Sequence, residues 1–426
     1  MREMKDSGVA YIGYIPITWN ITRNKNVFSC SKNIVGTKSN NLQLLSLTTR
    51  GIKVKDINVA DGKLPESFDT YQFVKIDDIV MCLFDLDMSA VFSGISHYEG
   101  MISPAYKVLT CKKGILPKYA DYWFQYIFDN RKFNHYAKNI RYTLNYEDFS
   151  SLPMIQPPVD IQECIADYLD EKCTKIDTIV SKQQEIIEKL KAYKLSIITE
   201  TVTKGLNPDV EMKDSGIDWI GEIPKDWSIH KLCWDYSAML GKMLDVKRIT
   251  GQHLQPYIKN VDVEWGNINI DNLDEMDFED DEIERYSVLS GDLMICEGGE
   301  IGKCAIVPDI FPKGIYYQKA LHRVRKREKD SGNVNFLYYV IFCMAKNDCF
   351  GTSPEKATIA HLPGDALKQL RIPAPYVDEQ EKIADFLDKK CRVIDDTIKI
   401  KQKIIDRIIL YKKSLIYEVV TGKKEI

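Results

Sequence analysis

Apolar side chains recur at alternating steps of four and three along two long stretches of this 426-residue chain. The first stretch runs through Leu169, Cys173, Ile176, Val180, Gln183, Ile187, Leu190, Lys194, Ile197 and Thr201. The second runs through Leu387, Cys391, Ile394, Ile398, Lys401, Ile405, Ile408, Lys412, Leu415 and Val419. Such a heptad seam lies along one face of an α-helix and requires a partner helix. Neither stretch is broken by Pro or Gly, the first being clear to Gly205 and the second from Asp378 to Thr421. Pro157-Pro158 and Pro375 end the preceding structure, and Asp160 to Glu163 and Asp378 to Glu381 have the spacing of a capping box that opens a helix. Forty-odd helical residues at about 1.5 Å each extend roughly 65 Å. Gln183, Lys401, Lys194 and Lys412 would cost stability if fully buried on the seam, so they set its register or lie at its edge.

The two stretches are copies. IADYLDEKCTKIDTIV, beginning at Ile165, returns 218 positions later as IADFLDKKCRVIDDTI, beginning at Ile383. A shorter repeat precedes each intervening segment: Met4-Lys-Asp-Ser-Gly with Trp19 is echoed 208 positions later by Met212-Lys-Asp-Ser-Gly with Trp227. A period near half the chain means one duplicated module rather than a solenoid. Two equivalent units close on each other through a pseudo-twofold axis, which pairs the helices antiparallel. The side chains expected to pair helices or seat partners are Ile165, Leu169, Ile176, Ile187, Leu190, Gln380, Ile383, Leu387, Ile394, Ile405 and Ile408.

Between the copies the period shortens to two. Segments 42–49, 73–84 and 105–111 read as strands and 119–130 as a helix; 256–263, 291–299 and 317–325 read as strands and 335–345 as a helix in the same order. The inserts are therefore expected to share one fold with different surfaces. The fold class is α+β: two similar mixed α/β domains, at 1–158 and 207–376, and two long helices, at 159–206 and 377–426, packed as an antiparallel coiled coil in a pseudo-twofold repeat.

A hydrophobic content of 44% supports packed cores, and no apolar run reaches the 18 residues of a membrane span. With no basic and apolar leader at its start, the chain is expected in the cytoplasm. Eleven cysteines stand as singletons, without a Cys-x-x-Cys pair, as expected of reduced thiols. The net charge of −4 is uneven: residues 1–150 carry 19 Lys and Arg against 15 Asp and Glu, and residues 212–370 carry 19 against 26. Nine of those 26 acids fall within Asp271–Glu284, and without that run the second insert is at +2, so a basic face is available on it. The run reads as a solvated loop, or as a surface that repels DNA or meets a basic partner.

Two segments mix cations, amides and aromatics, the side chains that hold phosphates and read base edges: 131–145 and 350–358. Cys296-Glu-Gly-Gly-Glu-Ile-Gly-Lys303-Cys304 hints at a phosphate loop but has Glu297 where a glycine is needed and Cys304 where Ser or Thr is needed, so it reads as a turn. Pro208-Asp-Val-Glu-Met-Lys213 has the letters of a nuclease motif with its acids too close together. An Asn-Pro-Pro-Tyr methyltransferase motif and a G-x-G-x-x-G loop after a strand are absent, and the six histidines have no metal-ligand spacing. No catalytic residue and no metal ligand is expected.

These segments resemble the DNA-specificity subunits of type I restriction-modification systems over essentially the whole chain. The segments from Leu152 to Asp170 and from Leu370 to Asp388 are similar to that family's Pro-x-x-x-Glu-Gln-x-x-Ile-Ala-x-x-Leu-Asp pattern, with Glu379-Gln380 intact in the second copy and Ile161-Gln162 in the first. Gly100–Tyr106 and Gly291–Lys303 are similar to segments of its recognition domains. The resemblance implies two target-recognition domains reading the halves of a bipartite site in double-stranded DNA, held apart by two long conserved helices. It also implies two adenine methyltransferase subunits on the helices, supplying S-adenosylmethionine, and restriction subunits that join through them with ATP and Mg. The chain itself would bind no cofactor and would be bacterial or archaeal, cytoplasmic and DNA-associated.

DNA contact is expected from Thr48, Thr49, Arg50, Arg131, Lys138, Asn139, Arg141 and Tyr142 in the first insert, and from Lys259, Asn260, Lys303, Gln318, Lys319, Lys356 and Thr358 in the second. The alternative is a coiled-coil interaction protein whose inserts bind proteins, which steeply salt-dependent DNA binding would exclude.

Overall fold

The computed structural model describes residues 2–30, 32–49, 51–56, 65–86, 92–129, 131–137, 142–243, 250–328, 331–350 and 361–426. The chain divides into two compact units, Met1–Gln184 with Gln402–Ile426, and Glu185–Lys401.

In the first unit, β1 (Phe28–Cys30), β2 (Ile79–Met81), β3 (Ser93–Ile95) and β4 (Lys107–Cys111) form an antiparallel sheet in the order β1-β4-β2-β3. The 73–84 segment is expected as one strand but is two, Gln72–Val74 and Ile79–Met81, because the chain turns at Asp77 with φ 67°. Helix α1 (Pro117–Asp129) buries Tyr119, Trp123, Phe124 and Ile127 against this sheet's core. In the second unit, β5 (Tyr236–Leu240), β6 (Leu293–Cys296), β7 (Cys304–Ile306) and β8 (Leu321–Lys326) repeat the arrangement in the order β5-β8-β6-β7. There α2 (Val334–Lys346) buries Phe336, Leu337, Val340 and Ile341, and its N-cap Asn333 accepts from the Phe336 N–H. The four-stranded sheet and the helix packed on it are thus common to the two inserts, while some of the smaller sheets differ.

The long helices are αA (Val159–Lys204) and αB (Val377–Val420), each contributing to both units. Each starts before the expected cap, so Asp160 and Asp378 lie in the first turn, where a carboxylate favours the positive end of the helix dipole. The helix entry is held instead by a buried glutamine. Gln162 donates to the carbonyls of Pro157 (2.8 Å) and Gly114 (3.0 Å) and accepts from the Leu116 N–H (2.8 Å). Gln380 donates to the Pro375 carbonyl (2.9 Å) and accepts from the Asn333 N–H (2.9 Å). Each glutamine thereby joins its helix start to the entry of the insert's own helix, with its own buried amide both donating and accepting.

The C-terminal ends match as well. Gly205 and Gly422 both take φ near +70°, at 77° and 70°, which ends a helix without steric cost only at glycine. A Cβ on Gly205 would meet Trp227 at 3.1 Å, and one on Gly422 would meet Pro16 at 2.5 Å and Trp19 at 2.8 Å. The short repeat therefore exists to seat each helix end on a buried tryptophan.

Within each unit the helix segments run antiparallel. In the first, Ile165, Leu169, Cys173 and Ile176 share a core with Leu415, Ile416, Val419 and Val420, and the half-buried Ile408 packs against it. In the second, Ile198 and Val202 share a core with Ile383, Ala384, Leu387 and Cys391. Ile187, Ile394 and Ile405 are also buried, and Leu190 is half-buried. Full burial of one such side chain contributes about 1.5–3 kcal/mol. The seam lysines are neither fully buried nor idle: Lys194 meets both carboxylate oxygens of Asp395 at 2.7–2.8 Å, and Lys412 meets both of Asp177 at the same distances. These are the same pair twice, since each partner recurs 218 positions on. Tyr122 to Asp170 (2.8 Å) and Tyr339 to Asp388 (2.6 Å) similarly latch each insert helix to a long helix.

The acidic run is not a loop. It forms a strand, Asp274–Asp277, and a helix, Asp280–Tyr286, opened by a capping box between Glu279 and Glu282. Asp277 accepts from the N–H groups of Thr250, Gly251 and His253. Burial works to raise its carboxyl, but those donors and the Thr250 hydroxyl bring it down to about 2.

Charge reversal at Lys194→Asp or Asp395→Lys alone should lower stability by about 1 kcal/mol, the scale of a partly exposed pair, and the double exchange should recover most of it in denaturant titrations. Additive losses would exclude a register role. Because the Asp277 carboxyl is depressed, its contribution is present above the ordinary carboxylate range near 4 and is lost as pH falls toward 2. Asp277→Asn should therefore flatten the acid limb of stability over that window; an unchanged limb would contradict the assignment.

Candidate nucleic-acid interface

The first insert presents a hairpin and a knot of loops. Leu45–Thr48 pairs with Gly51–Val54, and Leu45, Leu47 and Ile52 anchor it in a core, which leaves the turn outward. Thr48 donates to the Gly51 carbonyl (2.8 Å), Thr49 is exposed, and Arg50 lies outside the described residues. Arg131 and Tyr142 are brought together on Leu86: the Arg131 guanidinium donates to the Leu86 carbonyl, and the Leu86 N–H donates to the Tyr142 carbonyl (3.3 Å). Asp85, Arg131 and Tyr142 all have positive φ, at 50°, 50° and 45°. Each such residue costs about 1–3 kcal/mol, a concentration of backbone strain typical of sites that must present side chains. The Arg131 guanidinium also lies over the Phe128 ring, 4.4 Å from its centroid, while the Tyr142 ring is exposed. Lys138, Asn139 and Arg141 lie outside the described residues.

In the second insert the candidates divide by what already holds them. Lys259 pairs with Asp274 (2.7 Å), which raises its pKa. Asn260 donates to the Gly298 carbonyl (2.7 Å), and Lys303, with its side chain 13% exposed, faces Glu264 at 3.7 Å. Asn260 and Lys303 tie down the turn from Cys296 to Lys303, whose Gly302 has φ 77° and would drive a Cβ to 2.3 Å from Phe350. Gln318 and Lys319 have no side-chain hydrogen bond or ion pair among the described residues; Gln318 is half-buried and Lys319 exposed. Lys356 and Thr358 lie outside the described residues. Beyond Lys319, Arg323 is 5% exposed and donates to the carbonyls of Arg285 and Ser287, and Arg325 grips Asp292 at 2.6 and 2.7 Å, while Lys326 and Arg327 are exposed.

Gln318 and Lys319 open onto a cleft of roughly 360 Å³ lined also by Met243, Glu297, Gly298, Ala320 and His361. Sequence reasoning did not select Glu297, Met243 or His361, which come from segments far apart along the chain. The one available signal was Glu297 itself, a charged residue at a glycine position of a phosphate-loop-like segment. The thiols beside the turn are held protonated: burial drives Cys296 up to about 12 and Cys304 well above its ordinary value. They are poor nucleophiles.

The family described as Type I restriction modification DNA specificity domain matches residues 240–409. The type I restriction enzyme MjaVIII specificity subunit of Methanocaldococcus jannaschii is 28% identical over 287 residues, spanning 65% of this chain and 63% of that protein, a little under two thirds of its length. The same organism's "Putative type I restriction enzyme MjaX specificity subunit" is 25% identical over 443 aligned positions, covering 97% of this chain and 95% of that one. Among solved structures, a chain from a study of complex assembly and conformational transition of the type I R-M system superposes with a TM-score of 0.73 at 11% identity, over 96% of this chain and 99% of that one. The HsdS subunit from Thermoanaerobacter tengcongensis gives 0.52 at 11% identity, over 96% and 98%. No helix among the described residues is long and apolar enough to cross a membrane. The specificity-domain match in the second half, the relative aligned along nearly the whole chain and the common fold make this chain similar to type I restriction-modification specificity subunits.

Proposed function

We propose that this chain is the non-catalytic, sequence-reading component of a type I restriction-modification assembly. Each insert domain reads one half of a bipartite site in double-stranded DNA. Two methyltransferase subunits seat on αA and αB and bring S-adenosylmethionine, and restriction subunits join through them with ATP and Mg. The carrying observation is the pairing of like with unlike: both inserts share sheet order, glutamine entry, tryptophan seat and Tyr–Asp latch, yet expose different side chains. Like scaffolds fit two copies of one partner. Unlike surfaces fit an asymmetric site, as dimer geometry fits two half-sites at fixed spacing.

Among the candidates, Thr49, Tyr142, Gln318 and Lys319 offer side chains with room to meet DNA, whereas Lys259 is held by Asp274, Asn260 by the Gly298 carbonyl and Lys303 by Glu264. Binding of the full chain, assembled with its methyltransferase subunits, to a cognate duplex should fall steeply with salt. Lys319→Ala should weaken cognate binding more than binding to an unrelated duplex. Salt-independent binding, or no DNA binding at all, would favour a protein-binding role for the inserts.

A further inference from the structure

We propose that Glu297, with Lys319 beside it, reads one G·C base pair of the second half-site by accepting a hydrogen bond from the cytosine N4 amino group. This rests on the proposed DNA-reading role and assigns chemistry to one site within it. The cleft that Glu297 lines is built by backbone from four directions. The Glu297 N–H donates to the Ala320 carbonyl (2.9 Å), the Leu362 N–H donates to the Glu297 carbonyl (2.7 Å), the Lys319 N–H donates to the Lys242 carbonyl (2.8 Å), and Asn260 holds Gly298 from behind (2.7 Å). Gly298 also bridges antiparallel to His361. Glu297, Gln318 and Lys319 are therefore presented from a floor that is already fixed, the condition for selective recognition.

The charge state of Glu297 sets it apart from its neighbours. Asp274 meets Lys259, Glu264 meets Lys303, Glu300 meets Lys346 and Asp292 meets Arg325. The half-buried Glu297 carboxylate has no such partner among the described residues, nor any hydrogen bond. His322 lies behind it, fully buried, with Nε2 on the Leu362 carbonyl (2.8 Å), and burial lowers its pKa, so it stays neutral and does not offset the charge. A carboxylate with no partner among the described residues, at a DNA-facing cleft, is repelled by phosphates, so electrostatics alone argues against its presence there. Its use must be a base edge, and an ionised carboxylate is an acceptor only.

In the major groove the exocyclic amines are the donors: cytosine offers N4–H₂, and adenine offers N6–H₂ beside an N7 acceptor that would repel the carboxylate. The guanine paired with that cytosine offers O6 and N7, both acceptors suited to an ammonium. Glu297 and Lys319, of opposite charge on one cleft, thus match the two edges of a single G·C pair. Gln318, which lines the same cleft and can both donate and accept, suits a neighbouring base.

The test is selection from a randomised duplex pool by the full chain assembled with its methyltransferase subunits, comparing wild type with Glu297→Gln, which keeps the shape and removes the charge. Wild type should enrich a split motif with an invariant cytosine in one half. Glu297→Gln should relax that one column, lowering discrimination there about tenfold, while the other columns hold and non-specific binding does not weaken. Lys319→Gln, at an exposed side chain with no hydrogen-bond or ion-pair partner among the described residues, should relax the same column and serves if Glu297→Gln unfolds. A Glu297→Gln motif identical to wild type, or one eroded evenly across both halves, would overturn the assignment and leave DNA reading intact. A wild-type assembly that enriches no motif would instead overturn the DNA-reading role itself.

Discussion

The repeated lysine–aspartate contact is the constraint on which the rest of the structure depends. A seam of Leu, Ile and Cys at heptad spacing holds two helices together but tolerates sliding by a turn, because one apolar side chain fills a gap about as well as the next. A lysine that must meet a carboxylate on the facing helix does not tolerate it, since a slip leaves both charges partly desolvated and unpaired. Lys194 with Asp395 in one unit, and Lys412 with Asp177 in the other, therefore choose one register in each. Their energy is modest because they are partly exposed; their value is in excluding alternatives.

From that register the placement of each insert follows. The start of a long helix is tied by Gln162 or Gln380, its flank by Asp170 to Tyr122 or Asp388 to Tyr339, and its end by a glycine against Trp227 or Trp19. The first two ties are hydrogen bonds with satisfied partners and the third is a close steric fit, so each insert is held by directional contacts and not by apolar area alone. The loops that differ between the inserts then vary without disturbing what holds them, which is the arrangement a reader of changeable sequences requires.

The long helices, the duplication and the insert fold were legible in the sequence because they rest on periodicity, and periodicity is local. The 73–84 segment misled because its apolar residues continue through Asp77, whose left-handed turn has no strong sequence mark without glycine. The capping boxes misled because the entry is held by Gln162 and Gln380, whose role appears only when Leu116 and Asn333 come into view from distant segments. The candidate site was less legible still. Lysines can be counted in a sequence, but whether one is free depends on a partner as remote as Glu264 is from Lys303. The cleft at Glu297 gathers residues between Met243 and His361, a span over which no short pattern extends.

A methylation map of the host genome, taken with this gene intact and with it deleted, tests the central claim most directly, because it requires two inserts to read two half-sites and the helices to recruit a methyltransferase at once. The account predicts that deletion erases one split adenine-methylated motif and leaves all others in place. A map unchanged by deletion, in cells where the partner methyltransferase is present and active, would contradict it.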